Sequence, residues 1–184
     1  MATYKFRVLL DNAENEEIFR DIEVDGSNNF QDFYAIIIKA FFFTGDQFAS
    51  FYVSNLDWDK GDEIGLFEMD LEDNSTPFHL MSDTKINTMI SNPSQRFILV
   101  YDFLKMWCFL IELIQTTEDH KPNPEIVLSI GIAPLEDSRE MDFGIPAESS
   151  DSTFDLGNDI DDIFSEFDDN EEFEGFENID DLDI

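Results

Sequence analysis

Two stretches near the middle of the chain, RFILVYDF at residues 96–103 and WCFLIEL at 107–113, restrict the possible folds more than any other feature. Each is apolar on both of its alternating faces. Phe97, Leu99, Tyr101 and Phe103 stand against Ile98 and Val100 in the first, and Trp107, Phe109, Ile111 and Leu113 against Cys108 and Leu110 in the second. A strand with one face in water alternates apolar with polar residues, whereas a strand covered on both sides reads as a continuous apolar run. This pair therefore belongs in the middle of a sheet.

The neighbouring segments supply the rest of that sheet. TYKFRVLL at 3–10 alternates, with Tyr4, Phe6, Val8 and Leu10 on one side and Lys5 and Arg7 on the other, the period of a half-buried strand. Beyond a polar loop, Ile18, Arg20, Ile22 and Val24 share a face, so the two segments are expected to form a β-hairpin, closed by the turn residues DGSNN. A helix is expected next. Asn29 is placed to cap it with Asp32 three residues on, Phe30, Phe33, Tyr34, Ile37 and Phe41 fall at helical spacing, and Gly45 is the expected stop. FASFYV and IGLFEM are expected as further strands joined by the acidic turn SNLDWDKGDE, and SDTKINTMI as a short capped helix or turn. HKPNPEIVLSIGIAPLED holds three of the six prolines, which makes it a flap or an edge strand. The expected fold class is α+β: an α/β roll with a mostly antiparallel sheet and one main helix packed across it. The domain should span residues 1–146 and be followed by a disordered acidic tail over 147–184.

Charge narrows the partners. The 43 Asp and Glu against 10 Lys and Arg give a formal charge of −33. Such a field repels phosphate backbones and anionic lipid surfaces, so direct nucleic-acid binding is not expected. No apolar run reaches the ~20 residues of a membrane-crossing helix, because Lys39 and Glu112 interrupt the two richest stretches. A lone cysteine, Cys108, and no signal-peptide-like start point to the reducing cytoplasm.

The candidate sites are few. Asp57, Asp59 and Glu68 occupy positions one, three and twelve of an EF-hand calcium loop, but Gly61 and Asp62 invert the acid and glycine that the loop requires, and a solvated acidic turn is the expected reading. His79, His120 and Cys108 are too few and too scattered for nucleophilic or metal chemistry. No cofactor motif occurs, and none is expected to bind.

The block RFILVYDFLKMWCFLIEL resembles the segment by which the plasmid pRiA4b ORF-3-like family is recognised, a strand ending in Tyr-Asp-Phe-Gly-Asp, then Trp and His and a second strand. Tyr101, Asp102, Phe103 and Trp107 match that signature; Gly45, Asp46 and Phe51 match an earlier family stretch; Pro134, Glu136 and Asp137 match a later Pro-Pro-Glu-Asp. Leu104 and Lys105 replace the Gly-Asp turn, and Phe109, Gln47 and Ala49 stand where the family has histidines, so a site built on those histidines is not expected. The resemblance covers roughly residues 4–137 and implies a bacterial protein with a compact roll in an order similar to β-grasp domains. Members are often labelled TnpR-type passenger proteins of insertion elements, which implies a setting of mobile DNA. Recombinase chemistry needs a nucleophile among clustered basic residues, and the Lys and Arg here are scattered.

The tail reads either as a solubilising, disordered bristle, as charge runs usually are, or, on the strength of its Phe residues, as a binding segment. Residues 148–184 hold 16 acids, no base and five Phe. Ile160, Ile163, Phe164 and Phe167 follow the i, i+3, i+4, i+7 rule behind the potential cap Asn158, and Phe173 and Phe176 begin a second cluster. Burying four such side chains yields roughly 6–12 kcal/mol, while ordering about ten residues costs on the order of 10–20, so the helix is not expected to persist alone. The expectation is a non-enzymatic interaction protein whose tail meets a basic protein partner. An accessory protein of mobile-element DNA transactions, with an acidic DNA mimic as one form of it, is the first alternative, and a hydrolase with a carboxylate site the second.

Overall fold

The computed structural model describes residues 2–12, 16–67 and 78–140. The boundary at 146, the acidic tail with Ile160, Ile163, Phe164, Phe167, Phe173 and Phe176, and Glu68 lie outside them. The elements are β1 (Thr3–Leu10), β2 (Phe19–Asp25), α1 (Phe30–Ala40), β3 (Ala49–Ser54), β4 (Lys60–Gly65), β5 (Phe78–Leu80), β6 (Arg96–Tyr101), β7 (Trp107–Thr117) and β8 (Glu125–Ile130), with single 3-10 turns at Ile86–Met89 and Glu136–Ser138. All eight strands form one sheet in the order β5-β4-β3-β6-β7-β1-β2-β8. Every pairing is antiparallel except β4 with β5. The fold is α+β, and β6 and β7 sit at its centre.

The hydrophobic effect explains the layering. Phe6, Val8 and Leu10 of β1 pair with Leu113, Ile111 and Phe109 of β7, and Phe97, Leu99 and Tyr101 of β6 lie opposite Ile111, Phe109 and Trp107. These residues share one face and are buried. Helix α1 covers that face: Phe30 packs edge-on against Phe51 and Phe97 at 5.1 and 5.3 Å between ring centroids, and Phe33 reaches Phe6 at 4.9 Å. On the opposite face, the row Tyr52, Ile98, Leu110, Leu9, Phe19 runs beside a charged row in which Arg96 meets Glu112 and Arg7 meets Asp21.

Helix α1 begins as its sequence dictates. The Asn29 side chain accepts the Asp32 N–H at 2.8 Å, and the Asp32 carboxylate accepts the Asn29 N–H in return. Its end is a correction: the helix stops at Ala40, not at Gly45, because Phe42 takes the left-handed conformation (φ 61°) while the Phe43 N–H reaches back to the Ile38 carbonyl. This closing turn usually employs glycine; here an aromatic residue occupies it and projects into solvent. Gly45 has φ 78° but belongs to the following loop.

Two strands also differ from expectation. β4 starts at Lys60, inside the stretch expected as an acidic turn, and β5 at Phe78–Leu80 was not expected at all. Pairing with β3 organises KGDEIG, although its first residues are exposed and lack alternation; backbone pairing overrides weak strand propensity. β8 is the edge strand anticipated from its prolines.

Arg20, on the inner face of β2, is buried, and among the described residues it has no carboxylate partner. It donates to the Ala40 carbonyl at 3.0 Å, to Phe19 at 2.8 Å, to Ile130 at 2.6 Å and to Gly131 at 3.3 Å, and lies 4.8 Å from the centre of the Phe41 ring. Gly131, which closes β8, has φ 75°, and a Cβ there would stand 2.6 Å from the Glu17 carbonyl oxygen.

Candidate functional site

The residues carrying the family resemblance come from three separate stretches, and apart from Phe51, which packs under α1 against Phe30 and Phe33, the fold gathers them at one end of the sheet. Tyr101 ends β6 with its ring in the core and its hydroxyl at the rim. That hydroxyl accepts the Gly45 N–H at 3.0 Å and donates to Glu136 Oε1 at 2.6 Å. Glu136 also accepts the Thr44 N–H at 2.7 Å, and the Thr44 hydroxyl lies 3.0 Å from Glu136 Oε1 and 2.8 Å from Asp46 Oδ1. The Trp107 indole N–H donates to the Glu136 carbonyl at 3.2 Å, the Arg139 guanidinium sits 5.1 Å from the indole centre and donates to the Met106 carbonyl, and Lys105 pairs with Asp137 at 2.7 Å. Asp102 shapes the β6–β7 turn from a left-handed position (φ 57°): its carboxylate accepts the Leu104 and Lys105 N–H groups, while its own N–H donates to Phe48. Phe103 lies on the same turn, half-buried.

The electrostatics describe a latch. Burial, reinforced by the Glu136 hydrogen bond, pushes the Tyr101 phenol above its ordinary value, so it is held as a neutral donor. Hydrogen bonds from Thr44 and Gln47 hold the exposed Asp46 carboxyl below its usual range. The polar groups of the cluster are spent on one another, fastening residues 134–139 to the end of the sheet.

A second latch stands near the other end of β8. Asp25 is fully buried. Burial alone would raise its carboxyl, but the Ser27 hydroxyl (2.5 Å) and N–H (2.9 Å), together with His120 Nδ1 at 2.7 Å, outweigh it and hold the group below the usual aspartate range. Thr3 donates to the Asp119 carbonyl, Asn28 to that of Pro122, and Lys121 pairs with Glu23. Residues 119–122 are thereby fastened to β1, β2 and the start of α1.

The other candidate residues are not drawn together. Asp57 and Asp59 lie on the β3–β4 turn, where the Asn55 side chain accepts both of their N–H groups and donates to Asp59. The element entering that turn is a strand, where an EF-hand requires a helix. Cys108 is half-buried in β7, and burial pushes its thiol up. His79 lies within β5, half-buried. Among the described residues, no three of His, Cys, Asp and Glu cluster as metal ligands, and no helix is long and apolar enough to cross a membrane. The hydrolase alternative calls for a buried acid with a raised pKa. Among the buried acids of the described residues, Asp25 is shifted the other way, Asp21 receives two hydrogen bonds from Arg7, and Asp102 caps its turn.

Two clefts flank the segment after β8. One, of about 380 Å³, is lined by Ile18, Trp107, Ile132, Pro134 and Arg139. The other, of about 590 Å³, is lined by Arg20, Lys39, Phe42, Ile126 and Ile132. Asp25 and the Thr44 hydroxyl are the groups that sequence reasoning missed, as it did the partnership of His120 with Asp25, and no local pattern marks any of them.

The family model described as plasmid pRiA4b ORF-3-like protein matches residues 2–143. No curated protein sequence matches. Among solved structures, the chain is similar to a protein of unknown function from Methanosarcina mazei Go1, with a TM-score of 0.62 and 19% identity over 76% of this chain and 75% of that one. At that identity the likeness concerns the fold alone.

Proposed function

The chain belongs to the plasmid pRiA4b ORF-3-like family, and from that premise we propose that it works as a non-enzymatic interaction protein whose acidic C-terminal segment captures a basic protein partner. The observation that carries the reading is the composition of residues 148–184, in which 16 acids and five Phe occur without one Lys or Arg. Acids steer a cationic surface towards the chain, and Ile163, Phe164 and Phe167 then bury in its groove as one face of a helix that forms on contact. The domain supports this division of labour, because its signature groups, Tyr101, Asp102 and Trp107, are engaged in holding the fold together.

A segment of residues 148–184 is expected to show no helical signal alone and to gain one on adding the partner, read by circular dichroism. Full-length protein should retain proteins from a cell extract that the form lacking 148–184 does not. If Phe164→Ala with Phe167→Ala leaves that set unchanged, the proposal fails. The formal charge of −33 favours one variant, in which the chain acts as an acidic mimic displacing DNA from a basic protein of mobile-element transactions. Competition between this chain and duplex DNA for the captured protein, strongest at low salt, tests it.

A further inference from the structure

The two edges of the sheet are unlike. β5 is three residues long and half-buried. β8 runs six residues, and its outer side is left open: Val127, Leu128 and Ile130 are 40–41% exposed, and Ile132 and Leu135 just beyond are 89% and 81% exposed. Long apolar edge strands template pairing with another chain, and proteins that stay monomeric blunt them with lysines, prolines or inward charges. Pro124 precedes the strand, Glu125 opens it and the bulge at Val127 interrupts it, but Leu128–Ile130 carry none of these devices. The strand is also held ready, since the His120–Asp25 and Tyr101–Glu136 latches fix the chain before and after it.

Charge identifies the occupant. Residues 126–135, IVLSIGIAPL, contain no ionisable side chain in a chain of which 29% is Asp, Glu, Lys or Arg. A basic partner gains no attraction from such a strip, whereas two copies of a polyanion can approach through it without setting acid against acid. The strip is self-complementary as well. An antiparallel pairing centred on Ser129 places Leu128 of each copy opposite Ile130 of the other, a favourable aliphatic cross-strand pair, with Val127 opposite Gly131. The register shift opposite Asp21 and Ile22 makes the edge irregular at Val127, so backbone pairing is confined to Leu128–Ile130 and apolar side chains supply most of the contact. We infer that the β8 edge and the uncharged strip after it form an isologous interface with a second copy of this chain.

The test is sedimentation velocity on the full-length chain over 1–100 µM at low and at high salt. The expected result is a shift from one to two chain masses with rising concentration. The dimer should strengthen at high salt, because screening relieves repulsion between two like-charged chains; capture of a basic partner by the tail would instead weaken. Leu128→Lys with Ile130→Lys should abolish the dimer. Ile132→Lys, at a position too exposed to disturb folding, should raise the dissociation constant at least tenfold. The chain remaining a single mass throughout, or a dimer indifferent to both variants, overturns the inference. Hydrogen exchange on the wild type gives an independent reading: the β8 amides should gain protection between 1 and 100 µM, and protection that does not change with concentration likewise overturns it.

Discussion

The two latches on either side of β8 do the same mechanical job with opposite chemistry. One rests on a carboxylate that must stay ionised: Asp25 is buried and collects a hydroxyl, an N–H and an imidazole. The other rests on a phenol that must stay neutral: Tyr101 donates to Glu136 while the backbone of Gly45 donates to it. An edge strand with so much exposed surface gains little from its own burial, so what secures it lies before and after it in the chain, and the two fastenings respond to different conditions.

The sharpest way to break that comparison is Trp107→Ala. It removes a buried indole together with the N–H that holds the Glu136 carbonyl, and should cost about 3–5 kcal/mol in urea unfolding. Asp25→Ala comes next, at about 2–3 kcal/mol, because the Ser27 N–H and hydroxyl lose a buried acceptor. Tyr101→Phe keeps the ring and removes only the hydroxyl, for about 1 kcal/mol. Lys105→Ala should change stability by less than about 0.5 kcal/mol, since Asp137 is almost fully in water. Equal costs for Asp25→Ala and Lys105→Ala would show that burial does not govern the first latch.

Titration sharpens the contrast. The Asp25 carboxyl is depressed in the folded state, so its contribution is present above the ordinary aspartate range and fades as pH falls below roughly 4. The Tyr101 phenol is raised, so its contribution is complete below roughly pH 10 and fades as pH climbs past it. The stability gap between wild type and Asp25→Ala should therefore close in acid, and that between wild type and Tyr101→Phe in alkali, in denaturant titrations across pH. Closure at the opposite ends would refute the assignment.

These differences explain what could be read from residue order. The centre of the sheet was legible because β6 and β7 are apolar on both faces, and α1 because its capping box is a matter of four consecutive residues, Asn29 to Asp32. β4 was placed four residues late, since Lys60, Gly61 and Asp62 carry no pattern and are organised by their neighbour. The helix end was misplaced because a Phe, not a Gly, takes the left-handed position. Tyr101, Asp102 and Trp107 were legible through resemblance, yet their joining to Thr44 and Glu136 was not, and His120 meets Asp25 across 95 residues of sequence. Periodicity reports which face a residue turns inward; it is silent about partners that only the closed sheet brings within reach.

Arg20 carries a consequence for cutting the molecule. Its guanidinium is shared among carbonyls from β2, from the last turn of α1 and from the end of β8, the last two being 90 residues apart in the chain. Any fragment stopping short of Ile130 keeps the cation but forfeits two of its acceptors, leaving a dehydrated charge half-clothed. The smallest autonomous unit must therefore reach past Gly131, and excision at the proline-rich loop before β8 should yield an insoluble piece rather than a smaller domain.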